Sequence, residues 1–218
     1  NFGGNIDPSG YNGNDRLAVL GSNVYFSAYT PSLGYELWKS DGTAAGTMLV
    51  KDLVPGTSSS SPRTFKNVNG TLYFTATDVA NGRELWKSDG TDAGTTLVKD
   101  INAGNTDSDI SNLTAAGTWV YFRANDGING VELWKSDGTV VGTQLVKDIR
   151  PGISSSSPSQ LLFINGVLYF SADNGTSGRE LWRSDGTGAG TFIVEDKEPG
   201  SNSFNPTNLT LFNGNLYF

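Results

Sequence analysis

One eight-residue motif returns at a fixed interval through the whole chain, and that periodicity limits the fold more than any other feature. ELWKSDGT occupies residues 36–43, 84–91 and 132–139, and ELWRSDGT residues 180–187. Its tryptophans, Trp38, Trp86, Trp134 and Trp182, follow one another at steps of 48 residues. A VYF or LYF triplet at residues 24–26, 72–74, 120–122, 168–170 and 216–218 keeps the same step, as does LVKD, which becomes IVED in the fourth copy. No insertion or deletion interrupts the period. Loops tolerate length changes, so spacing this strict points either to recent duplication or to units stacked so closely that every loop is constrained. The chain reads as a single repeat domain, 1–218, with periods 1–48, 49–96, 97–144 and 145–192 and a partial period 193–218.

Within one unit, residues 57–104, the pattern predicts four short strands. Residues 64–68 form the first, and Asn69-Gly70 is a strong two-residue hairpin signal. Residues 71–77 form the second, with Leu72, Phe74 and Ala76 on one face and Tyr73 on the other. Residues 83–88 carry Trp86, Asp89-Gly90 turns the chain, and residues 95–101 form the fourth strand. No stretch shows a 3.6-residue apolar period, so almost no helix is expected. Strands this apolar on both sides need partners on both sides, and stacking the copies supplies them. Four strands in about 40–50 residues, repeated, predict an all-β β-propeller of four-stranded antiparallel blades. A β-solenoid fits less well, because Asn-Gly and Asp-Gly hairpins indicate antiparallel meanders. The tryptophan is expected to anchor blade to blade. Burying it removes about 150–250 Å² from water, an upper estimate of about 4–6 kcal/mol.

The count does not close. The fifth unit runs only to its second strand. The chain opens at Asn1 without a methionine, which suggests a processed or excerpted segment. Three readings stand: an excerpt of a longer array, completion of the half-blade by another copy of the chain, or a ring with an irregular seam made by residues 1–15.

Composition excludes several functions. A net charge of −7 and a pI near 4.5 repel phosphate backbones, so no nucleic-acid partner is expected. With no cysteine and no histidine there is no disulfide framework, no thiolate metal site and none of the commonest general base. No apolar run approaches the ~20 residues that span a bilayer. The arginines are scattered, without the cluster a hydrolase of acidic sugars would need, and no catalytic residues are assigned.

The repeated polar residues are the candidate sites. Asp41, Asp89, Asp137 and Asp185 in the SDGT turns could bind calcium or a sugar hydroxyl, but a turn Asp accepting backbone N–H bonds is the better reading. Glu36, Glu84, Glu132 and Glu180 could pair across strands with Lys51, Lys99 and Lys147, although the fourth copy has Glu195 there. Paired carboxylates for glycoside hydrolysis would appear once, not in every unit. Asp78, Asp126 and Asp173 lie in Asn/Asp/Gly-rich loops that suit weak calcium binding, but none has EF-hand spacing, and no cofactor is otherwise expected. The Ser-rich runs 57–61 and 153–156 read as plain linkers or as the floor of shallow sugar sites. Asn69, Asn112, Asn174 and Asn208 head N-glycosylation sequons.

The motif, its trailing GT, the V-x-D strand and the PG turn make the chain resemble the bacterial ELWxxDGT repeat family over nearly its whole length. That resemblance implies a secreted or surface-attached repeat protein without a firm general activity. The expectation is therefore a non-catalytic extracellular scaffold or adhesion module. The alternative is a lectin-like propeller holding one weak glycan site per blade, made useful by avidity.

Overall fold

A computed structural model of the chain describes residues 16–218; the seam expected of residues 1–15 lies outside the described residues. Eighteen strands and no helix are found among them. The first blade is β1 (Leu17–Leu20), β2 (Asn23–Thr30), β3 (Gly34–Ser40) and β4 (Met48–Lys51). The second is β5 (Arg63–Val68), β6 (Thr71–Asp78), β7 (Gly82–Ser88) and β8 (Thr96–Lys99). The third is β9 (Ser111–Ala116), β10 (Trp119–Asn125), β11 (Val131–Ser136) and β12 (Gln144–Lys147). The fourth is β13 (Ser159–Ile164), β14 (Val167–Asp173), β15 (Arg179–Ser184) and β16 (Phe192–Glu195). A final hairpin joins β17 (Thr210–Phe212) to β18 (Asn215–Tyr217).

Each four-stranded sheet is an antiparallel meander in sequence order, the blade architecture that the repeat predicts. The predicted hairpin between β5 and β6 is present, with Asn69 and Gly70 at φ 49° and 83°, the paired positive values a tight type I′ turn requires. The fourth strands are shorter than their apolar pattern suggests. The pairing of β7 with β8 shifts between Leu85 and Trp86, and β8 ends at Lys99. Beyond it the Ile101 N–H turns to the Glu84 carboxylate, which replaces a ladder partner.

The described residues divide into two compact units, one ending at Ser108 and the other running from Asp109 to Phe218. The core of the first lies between its two blades. Tyr25, Leu37 and Val50 from one sheet meet Phe65, Phe74 and Trp86 from the next. In the second unit Tyr121, Leu133 and Val146 meet Leu168, Phe170 and Trp182 in the same way. The period-2 alternation of the strands sends Phe74 and Trp86 to one face of their sheet and Tyr25 and Leu37 to the opposite face of theirs, and these two faces mate. Trp86 and Trp182 anchor blade to blade, as their size suggests. No helix among the described residues is long and apolar enough to cross a membrane.

Candidate functional site

The repeated glutamates are fully buried. Each sits on the third strand of its blade and reaches the linker that follows. The Glu36 carboxylate accepts the Leu53 N–H at 2.9 Å, the Ser60 N–H at 2.9 Å and the Ser60 hydroxyl at 2.6 Å. Glu132 repeats this with the Ile149 N–H at 3.0 Å, the Ser156 N–H at 2.9 Å and the Ser156 hydroxyl at 2.5 Å. Glu84 accepts the Ile101 and Asn102 N–H groups and the Ser108 hydroxyl. Glu180 departs from the pattern. It accepts the Phe204 N–H at 2.9 Å and the Lys197 N–H at 3.4 Å, and Phe204 stands where the other copies have serine.

Burial is the main influence on Glu36, Glu84 and Glu132. It pushes the Glu84 carboxyl up to about 7, with Asp100 adding to the rise and the Ser108 and backbone donors opposing it. Burial raises Glu36 and Glu132 as well, against the donors that favour their charged forms.

Two expectations change here. Glu36 and Glu132 do not pair with Lys51 and Lys147 of the next strand. Lys51 lies opposite Leu37 in the ladder, so its side chain leaves on the face away from Glu36. Its ammonium donates to the Asp92 carbonyl at 3.0 Å and sits 3.2 Å from the Asp92 carboxylate, in the neighbouring blade. Lys147 donates to the Thr191 carbonyl at 2.6 Å. A carboxylate supplied with N–H and O–H donors needs no desolvated ammonium beside it. The Ser-rich linkers are not plain spacers either. Ser60, Ser108 and Ser156 are fully buried partners of the glutamates, and the neighbouring Ser59 and Ser155 hydroxyls accept the N–H groups of Tyr35 and Val131.

The SDGT turns close on themselves. Asp41 Oδ1 accepts the Thr43 N–H at 2.9 Å and the Thr43 hydroxyl at 2.7 Å. The Thr47 hydroxyl donates to the Thr43 carbonyl at 2.7 Å. Asp89, Asp137 and Asp185 make the same pair of bonds to Thr91, Thr139 and Thr187. The Thr43, Thr91 and Thr187 donors hold Asp41, Asp89 and Asp185 below the usual carboxylate range. A Cβ at Gly46 or Gly94 would collide with the carboxylate of the same turn, which explains the second glycine of each copy.

The turn also receives the preceding blade. The Lys39 ammonium donates to the Gly90 carbonyl at 2.8 Å, and the Tyr25 hydroxyl occupies the place a Gly90 side chain would take. Lys135 and Tyr121 do the same at Gly186. This socket is not apparent in any one repeat. Its sequence signal is the pairing of a fixed tyrosine in LYF with a fixed glycine in the next SDGT.

The loop acids are likewise turned on their own backbones. Asp78 Oδ1 accepts the Ala80 and Asn81 N–H groups, and Asp126 Oδ1 those of Ile128 and Asn129. Asp173 accepts the Gly175 N–H and pairs with Arg150 at 3.0 Å. Among the described residues no group of three or more His, Cys, Asp or Glu could hold a metal ion. The buried Arg83 donates to the Ser61 and Thr75 carbonyls, and burial lowers its pKa to about 10.

No family model and no curated protein matches the chain. Among solved structures, it is similar to a puromycin hydrolase S511A mutant complexed with PGG, with a TM-score of 0.53 and 15% identity over 89% of this chain and 29% of that one. It is similar to a chain from a study of two prolyl endopeptidases, with a TM-score of 0.51 and 11% identity over 82% of this chain and 26% of that one. The computationally designed Ika8 protein matches at a TM-score of 0.44 and 17% identity, over 90% of this chain and 54% of that one. The chain thus spans about half the designed protein and less than a third of either hydrolase chain. Identities this low speak to fold alone, and the four meanders together with the puromycin hydrolase and prolyl endopeptidase matches make this an all-β propeller protein.

Proposed function

We propose that the chain is a non-catalytic scaffold or adhesion module of an exported bacterial protein of the ELWxxDGT kind. One observation carries this reading: the polar residues that recur in every unit are engaged inside the protein. The aspartates close their own turns, and the glutamates hold the linkers. What recurs is thus a device for adding another blade. The absence of histidine and cysteine agrees with a module that does no imidazole or thiol chemistry.

The test is a glycan array probed with the full chain displayed multivalently, alongside peptidase, esterase and glycosidase substrates. A scaffold gives neither saturable glycan binding nor turnover. Saturable binding of one sugar class would transfer the chain to the lectin reading, and turnover of any substrate would remove the non-catalytic one.

A further inference from the structure

Blades in this chain mate through two fixed faces. The leading face of the second blade carries Phe65, Phe74 and Trp86, all buried against the first. The same repeat positions on the leading face of the first blade are Leu17, Phe26 and Trp38. There Leu17 is 52% exposed and its strand neighbour Val19 55%, while Phe26 and Trp38 are half-buried. The turn at Gly42 keeps the backbone of the occupied sockets, with φ of 92° against 91° at Gly90 and 90° at Gly186. Gly90 is filled by Tyr25 and Gly186 by Tyr121, whereas among the described residues a Cβ at Gly42 would meet nothing within 4 Å.

The matching face lies on the terminal hairpin. Tyr217 is the repeat equivalent of Tyr25 and Tyr121, which are 3% and 5% exposed, yet Tyr217 is 53% exposed. Phe212, at the position of Leu20 and Ala116, is 61% exposed, and its ring meets Tyr217 edge-on at 6.1 Å. At the base of the hairpin the Asn208 N–H donates to the Gln160 side chain of the fourth blade at 3.0 Å.

We infer that a second copy of the chain docks head-to-tail, with Tyr217 and Phe212 of one copy entering the Gly42 socket and the Leu17/Val19 face of the next. The occupant follows from continuity. Part of the interface used between blades one and two, and between three and four, recurs here: the Gly42 turn and Leu17 repeat the leading side, and Tyr217 and Phe212 repeat the first two strands of the trailing side. Such a contact is heterologous, so it propagates from copy to copy unless the rotation closes. It depends only on the blade faces, not on where the protein acts or whether it binds sugars.

The test uses sedimentation velocity on the full chain and on two surface variants. One, Leu17→Glu with Val19→Glu, spoils the leading face. The other, Phe212→Glu with Tyr217→Ser, spoils the trailing face. These side chains are exposed, and far-ultraviolet circular dichroism checks that each variant keeps its strands. The unaltered chain is expected to gain mass with concentration above its 23.1 kDa monomer. Each variant alone is expected to stay monomeric, and their equimolar mixture to form a dimer and nothing larger, because one good face remains on each. A monomeric unaltered chain at every concentration would assign both faces to flanking sequence or to solvent and overturn the inference. So would association that survives in both variants, or variants that fail to complement.

Discussion

At the scale of the residue, Glu36, Glu84 and Glu132 tie the chain's stability to pH. Burial places the folded-state pKa of Glu84 near 7, against an ordinary value of 4.5, and raises Glu36 and Glu132 too. A folded state with the higher pKa binds the proton more tightly. The resulting stabilisation is complete below pH 4.5 and is lost as pH climbs through about 7 for Glu84. The SDGT aspartates act in a separate window. Asp41, Asp89 and Asp185 are lowered from 3.8, so their contribution is present above that value and lost as pH falls beneath it. The melting temperature is therefore expected to be higher at about pH 5 than at about pH 8, with Glu84→Gln flattening the slope. A thermal melt followed by circular dichroism decides it: an unaltered chain that grows steadily more stable from the lower pH to the higher contradicts the assignment. The sequence marks these glutamates as repeated, but their partners lie 17 and 24 residues away in linkers of low complexity. That distance is why a lysine three residues past the fourth-strand Met or Thr looks a more natural partner than a linker serine.

At the scale of the element, two predictions follow from how blades and linkers are held. Trp86 is 7% exposed between two blades, whereas Trp38 is half-buried. Trp86→Ala is expected to cost about 3–5 kcal/mol and Trp38→Ala about 1–2 kcal/mol, measured by urea unfolding. Equal costs would mean that the two rings do the same job. The linkers differ as well. Ser60, Ser108 and Ser156 each give their glutamate a hydroxyl, and Phe204 gives Glu180 only its N–H. Hydrogen exchange should therefore be faster across residues 197–207 than across 53–63 or 149–159, and equal protection would show that the serine hydroxyl contributes little. The strands themselves are legible in the sequence, because period-2 alternation and Asn-Gly or Asp-Gly turns are local signals. The early end of the fourth strand is not, because a side chain from the preceding strand competes for its backbone donor.

At the scale of the whole molecule, the repeat leaves little room for a unique site. Millimolar calcium is expected to move the melting temperature by less than about 1 °C relative to chelator, since Asp78 and Asp126 already accept turn N–H groups and Asp173 is paired with Arg150. A rise of several degrees would restore the loop acids as ion ligands. Read alone, the sequence determined the four-stranded unit, its 48-residue step and the need of both faces for a neighbour, because alternation and turn chemistry act over a few residues. The tertiary structure decided what the repeated polar residues are for. Which donors meet a buried carboxylate, and which tyrosine fills which glycine, depends on groups brought together from adjacent blades, and no spacing within one repeat carries that information.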